Sequence, residues 1–297
     1  MFTRFKRKPR SMLGVDINPT SIKVLELSRI HNQWLIKTYG YLQLSDKNAI
    51  HNIELLANDL KKLLLQMKCC TKSAIVAIPD TQIVKKTIPI VAGLTQSELT
   101  ELINREAKKQ LEYPSTMCID YAVLNSYSKK IEIKELLVLA TRKENVIQRV
   151  KALHQAGLKV KVVEVESFAV ARVFDNSLHV VIEFNVFFIR LFVIQNRQII
   201  GTEQINNDLS FSIKKILGEL FLSNGYEEFS HIFLAGELSN LNEWAELIYQ
   251  ESGIPTTIIN PFKFMNYHKN IDSKALQKIA SSFLIATGLA MRGFDGY

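Results

Sequence analysis

Cysteine is scarce in this chain: its 297 residues include three, two of them adjacent at Cys69 and Cys70. An odd count with that spacing excludes a disulfide framework and a cysteine metal cluster, so a reducing compartment is expected. Long hydrophobic runs are also missing. The longest, Val180 to Ile194, is broken by Glu183 and Arg190 and falls short of the roughly 20 apolar residues that span a bilayer. The residues after Arg10 read Ser-Met-Leu-Gly-Val-Asp, which is no apolar signal-peptide core, so secretion is not expected. No Walker A, His-Glu-x-x-His or nucleophile-elbow motif occurs. The six histidines are dispersed, so neither a triad nor a metal cluster is visible, and no enzymatic turnover is expected.

What is present is globular composition, 47% hydrophobic and 22% charged, over a length that suits two lobes. The net charge of +8 is concentrated at the start, where Arg4, Lys6, Arg7, Lys8 and Arg10 lie. Such a tail (residues 1–12) suits an anionic membrane surface, at about 1 kcal/mol per basic residue, or merely solubilises. Nucleic acid is not expected, because aromatic residues are not interleaved with Lys and Arg along a strand face.

An internal repeat organises the rest. Leu13 to Leu27 reads as strand, polar turn and strand with period-two alternation, and Trp34 to Leu44 as a third strand. Val180 to Ile194 aligns with the first segment without a gap at a constant offset of 167 residues. Asp16 meets Glu183, Asn18 meets Asn185, Ile22 meets Ile189 and Lys23 meets Arg190, and Gln198 to Ile205 supplies a third strand again. Two copies of one domain follow.

Between and after the copies, strands and helices alternate. Ile50, Ile53, Ala57, Leu60, Leu64 and Met67 fall on one helical face. Thr95-Gln-Ser-Glu98 predicts a capping box before a helix over Leu99 to Leu111, closed by Tyr113-Pro114. Gly157 predicts a helix stop. A helix is expected from Leu209 to Ser223 with a stop at Gly225, and another over Lys274 to Met291.

Duplicated hairpins, each with a carboxylate ending its first strand, suit a nucleotide clamp. Turn amides and hydroxyls hold phosphate, a lysine neutralises it and the carboxylates hold magnesium through water. Asp16, Asn18, Thr20, Ser21 and Lys23 are the candidates in the first copy. Asn-Pro-Thr as a plain hairpin turn, with Lys23 a solvated strand residue, is the competing reading. The second copy, Glu183 and Asn185, is poorer. Val186, Phe187 and Phe188 stand where glycine and hydroxyls are needed, and the phenylalanines are expected to fill a core. Leu234-Ala-Gly-Glu237 offers Gly236 as an adenosine contact, although Glu237 brings negative charge. Glu164 and Glu166 suit an acid/base pair or, more plainly, a strand cap and a polar face.

These segments resemble the PilM family over nearly the whole chain. Leu13 to Leu27 is similar to that family's first phosphate hairpin and Asn104 to Pro114 to its helix and proline turn. Ile119 to Leu124, Ala140 to Glu144, Gly157 to Ala171, His231 to Gly236, Asn260 to Phe262 and Gly288 to Asp295 follow in the family's order. The resemblance implies an α/β, duplicated, FtsA-type actin-like fold of the ribonuclease H kind. It implies a first lobe over 13–178, carrying an inserted α+β subdomain at about 75–140, and a shortened second lobe over 179–297. It further implies a cytoplasmic adaptor peripheral to the inner membrane, which binds the N-terminal tail of the membrane protein PilN and links the PilN and PilO platform to the motor ATPases. Ile83, Ile88, Leu102, Glu106, Tyr113 and Pro114 are the groove candidates for that tail. ATP is implied, with magnesium only beside it, but Glu183, Asn185 and the phenylalanines imply a weak or lost site. Thr202 to Asp208 passes into the next helix without the family's helical excursion. The alternative left open is a nucleotide-binding ATPase of the FtsA type.

Overall fold

Alternating apolar side chains along Ser11–Gln43 build an antiparallel meander of β1 (Ser11–Ile17), β2 (Ser21–Ile30) and β3 (Gln33–Gln43) in the computed structural model. The structure describes residues 11–44, 50, 52–91, 93–110, 114–124, 133–206 and 231–295. The basic stretch Met1 to Arg10, Tyr113 and the helix expected at Leu209 to Ser223 lie outside these residues.

The meander is extended by β4 (Ser73–Ile78), parallel to β1, by β8 (Lys159–Val165) beyond it, and at the other edge by a two-residue β14 (Asn266–Tyr267), in the order β14-β3-β2-β1-β4-β8. The second copy repeats this plan. β9 (His179–Phe184), β10 (Phe188–Gln195) and β11 (Gln198–Asn206) form the antiparallel meander. β12 (Ile232–Gly236) runs parallel to β9, and β13 (Thr256–Ile258) parallel to β12, giving the order β11-β10-β9-β12-β13. Both sheets therefore read third, second, first, fourth, and both pair the carboxylate with the cation across the hairpin, Asp16 opposite Lys23 and Glu183 opposite Arg190.

Both sheets belong to one compact unit, Met1–Ala77 with Ala152–Tyr297. Helix α1 (Ile53–Gln66) buries Leu56, Leu60, Leu63 and Leu64 against Leu13, Val15, Ile22 and Val24. Its N-terminus is fixed by Asn52, whose side chain accepts from the amides of Glu54 and Leu55. On the opposite side α4 (Glu166–Val173) and α7 (Leu284–Arg292) pack between the sheets, with Ala169, Val170, Ile285 and Leu289 touching Ile75 of the first and Val181 and Phe192 of the second. They approach closely: a Cβ on Gly288 would lie 1.8 Å from the Ala169 carbonyl oxygen. Helix α5 (Leu241–Ser252) covers the outer face of the second sheet through Leu241 and Ile248.

The helix expected over Lys274 to Met291 is broken. It forms as α6 (Ser273–Lys278), a 3-10 turn over Ala280–Phe283, and α7. Serine hydroxyls account for the break: Ser282 bonds back to the Ile279 carbonyl at 2.7 Å and Ser281 donates to the Gly236 carbonyl at 3.1 Å, holding the turn in place of a continuous ladder.

The other unit, Ile78–Lys151, is an antiparallel sheet of order β5-β7-β6 from β5 (Val84–Val91), β6 (Met117–Leu124) and β7 (Ile133–Arg142). Helix α2 (Gln96–Gln110) lies on one face, its Leu99 and Ile103 packed with Ile90, Leu136 and Val138. The capping box at its start is present, with the Thr95 amide donating to Glu98 Oε2 at 2.7 Å and the Glu98 amide to Thr95 Oγ1 at 3.3 Å. Helix α3 (Lys143–Gln155) follows β7, and Gly157 beyond it takes φ +84°. No helix among the described residues is long and apolar enough to cross a membrane.

Candidate functional site

The site begins at the β1–β2 turn. The Asn18 side-chain oxygen accepts from the amides of Thr20 at 2.9 Å and Ser21 at 2.8 Å and from the Thr20 hydroxyl at 2.8 Å, a turn closed by asparagine on its own backbone. This fixes the hydroxyl of Ser21 and the amide of Asn18 toward one point. Lys23 is no solvated strand residue, contrary to one of the two readings of this hairpin. It is 1% exposed, because both faces of β2 are covered, and its ammonium lies 3.2 Å from Asp16 and 2.5 Å from Glu237. Burial pulls its pKa down, but the two carboxylates outweigh burial and hold it above the ordinary lysine range.

Glu237 reaches this point from the second copy. Gly236 takes φ +119° at the end of β12, where a Cβ would lie 2.0 Å from the Phe184 carbonyl oxygen, so only glycine makes this turn. The Glu237 amide then donates to Phe184 at 3.3 Å, and the carboxylate enters the first hairpin. There it accepts from Ser21 Oγ at 2.6 Å, Asn18 Nδ2 at 3.2 Å and Tyr41 Oη at 3.4 Å, while Thr20 Oγ1, whose one proton goes to Asn18, lies 3.5 Å away. Burial raises its pKa, and Lys23 with these donors more than reverses that, leaving it below the usual carboxylate value.

The second hairpin is filled differently. Arg190, 4% exposed, donates to Glu183 from Nε at 2.8 Å and approaches it from a second nitrogen at 2.6 Å, and also pairs with buried Glu166. Burial opposes its charge; Glu166, Glu183 and Asp16 hold it fully cationic. Phe188 lies beneath the guanidinium, 5.1 Å from ring centre to Cζ. Phe187, expected in the core, is 47% exposed at the hairpin tip, because the turn projects beyond the sheet. Asn185 donates its backbone amide to Phe188 at 2.9 Å, closing that turn.

The structure thus brings Asp16, Asn18, Thr20, Ser21, Lys23 and Gly236 together and sets Glu183 with Arg190 beside them. In this arrangement the Ser21 hydroxyl, the Asn18 amide and the Lys23 ammonium that would meet a phosphate are engaged by Glu237 and the Thr20 hydroxyl by Asn18, and the carboxylates that would hold magnesium through water are engaged by Lys23 and Arg190. Glu164 and Glu166 make no acid/base pair. Glu164 holds Arg172 at 2.7 Å through both oxygens, while Glu166 serves Arg190. Among the described residues no group of three or more His, Cys, Asp or Glu side chains could hold a metal ion. A cavity of about 450 Å³ opens beside the Gly236 turn, lined by Tyr41, Leu238, Asn242, Asn260, Gln277 and Lys278.

Of the groove candidates, Ile88 and Leu102 pack into the core of the Ile78–Lys151 unit, and Glu106 accepts from Lys86 Nζ at 3.0 Å. Ile83 precedes β5 and Pro114 opens a 3-10 turn before β6. The sequence reading missed Tyr41 as a partner of the first hairpin, for which there was no local signal, and missed Glu237 as its acceptor, although its charge was noted.

Two sheets of one strand order, duplicated hairpins and helices packed between them define the actin-like fold class. Within that class the chain belongs to the family of the type IV pilus assembly protein PilM, whose model matches residues 14–184 and 203–294. The chain is similar to a structure of the PilM-PilN type IV pilus biogenesis complex at a TM-score of 0.77 and 19% identity, over 97% of this chain and 100% of that one. It is similar as well to the cytoplasmic domain of EpsL, an inner-membrane component of the type II secretion system of Vibrio cholerae, at a TM-score of 0.53 and 11% identity, over 97% and 96% of the two chains. The ethanolamine utilization protein EutJ from Carboxydothermus hydrogenoformans aligns at a TM-score of 0.54 and 11% identity, over 96% and 90%. The two matched ranges of the family model leave out 185–202, the stretch in which the second hairpin departs from a phosphate turn.

Proposed function

We propose that this chain is a non-catalytic adaptor of type IV pilus assembly, cytoplasmic and peripheral to the inner membrane. It binds the N-terminal tail of PilN and joins the inner-membrane platform to the motor ATPases, with its basic N-terminus resting on anionic lipid. Family membership supports the place in pilus assembly. The observation that carries an adaptor over an ATPase is the charge pairing at the two hairpins, where Lys23 serves Asp16 and Glu237 and Arg190 serves Glu183 and Glu166. Phosphoryl chemistry needs such groups free for phosphate, metal and water. A nucleotide-binding ATPase of the FtsA type is the second reading, favoured by the cavity beside Gly236. The engaged donors stand against it.

A tail of a few apolar anchors suffices for docking. Each buried side chain contributes roughly 1.5 to 3 kcal/mol, ordering the tail costs several kcal/mol, and micromolar affinity needs about 8 kcal/mol. The Ile78–Lys151 unit with Ile83, Ile88, Leu102, Glu106, Tyr113 and Pro114 is the proposed surface. Fluorescence titration of the isolated PilN tail peptide tests it: Tyr113→Ala weakens docking and Glu183→Ala leaves it unchanged. The opposite pattern replaces the adaptor by a nucleotide-gated protein.

A further inference from the structure

We infer that Glu237 is a built-in ligand of the first hairpin, so that this hairpin is an oxyanion site filled from within the chain and not by a nucleotide. The donor set is that of an oxyanion site: an ammonium (Lys23), two hydroxyls (Ser21, Tyr41) and an amide (Asn18) converge on one carboxylate, at 2.5 to 3.4 Å. A carboxylate and a phosphate face both offer two anionic oxygens to such donors. Nor is Glu237 an incidental surface contact, since its side chain is 11% exposed and its backbone is aimed by fixed elements. Gly236 turns against the Phe184 carbonyl, Ser281 Oγ holds the Gly236 carbonyl at 3.1 Å, and the Glu237 amide is bonded to Phe184. The same contact crosses from the second copy to the first, so the carboxylate also latches the two halves of the duplicated unit. The opposite hairpin is filled in the complementary sense, with the Arg190 guanidinium between Glu183 and Glu166. Magnesium nucleotide does not fit these residues while both positions are held by the chain's own charges.

Removing the built-in carboxylate vacates a site for a small free oxyanion. The experiment compares the full-length wild-type chain with Glu237→Ala, using inorganic phosphate, acetate and magnesium ATP as probes and sodium chloride at matched ionic strength as control. Thermal melting and calorimetry supply the readouts. Glu237→Ala melts below wild type, and phosphate or acetate restores it saturably, with phosphate bound at least about tenfold more tightly than by wild type, a difference of about 1.4 kcal/mol. Wild type shows no saturable response to phosphate or to magnesium ATP. Equal phosphate binding by the two proteins overturns the inference, as does micromolar binding of magnesium ATP by wild type. Should Glu237→Ala not fold, Glu237→Gln, which keeps the side chain's shape but not its charge, must still bind phosphate more tightly than wild type; equal binding again overturns it. The inference stands apart from the adaptor reading, because tail docking is measured without any of these anions.

Discussion

A buried lysine shared by two carboxylates is sensitive to loss at either end. Removing one partner from a buried ion pair strands the other and costs about 3 to 5 kcal/mol, so Lys23→Met is expected to destabilise at least as much as Leu25→Ala, for which truncation of a buried leucine costs roughly 2 to 5 kcal/mol. Urea melts of both variants check this; a loss under about 0.5 kcal/mol, the value for an exposed strand residue, would return Lys23 to the surface. Period-two alternation cannot distinguish these cases. It assigns residues to two faces of β2 but does not say that both faces are covered, which depends on α1 on one side and α7 on the other. The acidic end of the pair carries a pH dependence. The Glu237 pKa lies below its ordinary 4.5 in the folded chain, so its stabilisation is complete above about pH 4.5 and is lost as pH falls through the depressed folded value. Lys23 and Tyr41, the titratable groups facing it, keep their protons across that range. The stability gap between wild type and Glu237→Gln should therefore be constant from pH 7 down to about 4.5 and narrow below. A gap that stays the same to pH 3, by urea midpoints, would contradict the ion pair.

At the scale of elements, the crossing of α4 and α7 depends on the absence of a side chain. Gly288 meets the Ala169 carbonyl where a Cβ would sit 1.8 Å away, and the contacts that would have to give are helix backbone. Overpacking of this kind costs about 1 to 3 kcal/mol and sometimes more. Gly288→Ala should accordingly lower the melting temperature by several degrees while leaving far-ultraviolet circular dichroism unchanged at low temperature; an unaltered melt would mean that the helices separate freely. Strands, the capping box at Thr95 and Glu98, and the stop at Gly157 were legible because each is set by neighbours in sequence. The broken helix after Lys274 was not. Its pattern of Ala, Leu and Ile is helical throughout, and the interruption comes from Ser281 reaching a carbonyl of Gly236, 45 residues away in sequence. The two-residue β14 was invisible for the same reason, since its pairing with Leu35 and Ile36 is a tertiary event.

For the whole molecule, the duplication was readable from one alignment at an offset of 167 residues, and the two matching hairpins, Asp16 opposite Lys23 and Glu183 opposite Arg190, follow from it. How the copies meet was not readable, because it rests on tertiary contacts: the packing of α4 and α7 between the sheets and the reach of Glu237 into the first hairpin. The two compact units differ in how much apolar surface encloses their strands. In the larger unit β1, β2, β9 and β10 are buried along most of their length, with clusters on both faces of the sheets. In the Ile78–Lys151 unit the described buried apolar cluster is Ile90, Leu99, Ile103, Leu136 and Val138, on the face that carries α2, while Val84, Val91 and Val123 are exposed. Regions with few buried apolar contacts open at lower free energy than the global unfolding that releases core strands. Native-state hydrogen exchange should then find the amides of β7, the central strand of the small sheet, at least about tenfold less protected than those of β1 and β10, a difference of about 1.4 kcal/mol in opening free energy. Because β7 is paired on both sides, an edge effect cannot produce that result. Equal protection of β7, β1 and β10 would show that both units open only together, and the proposed docking surface would then be as rigid as the duplicated core.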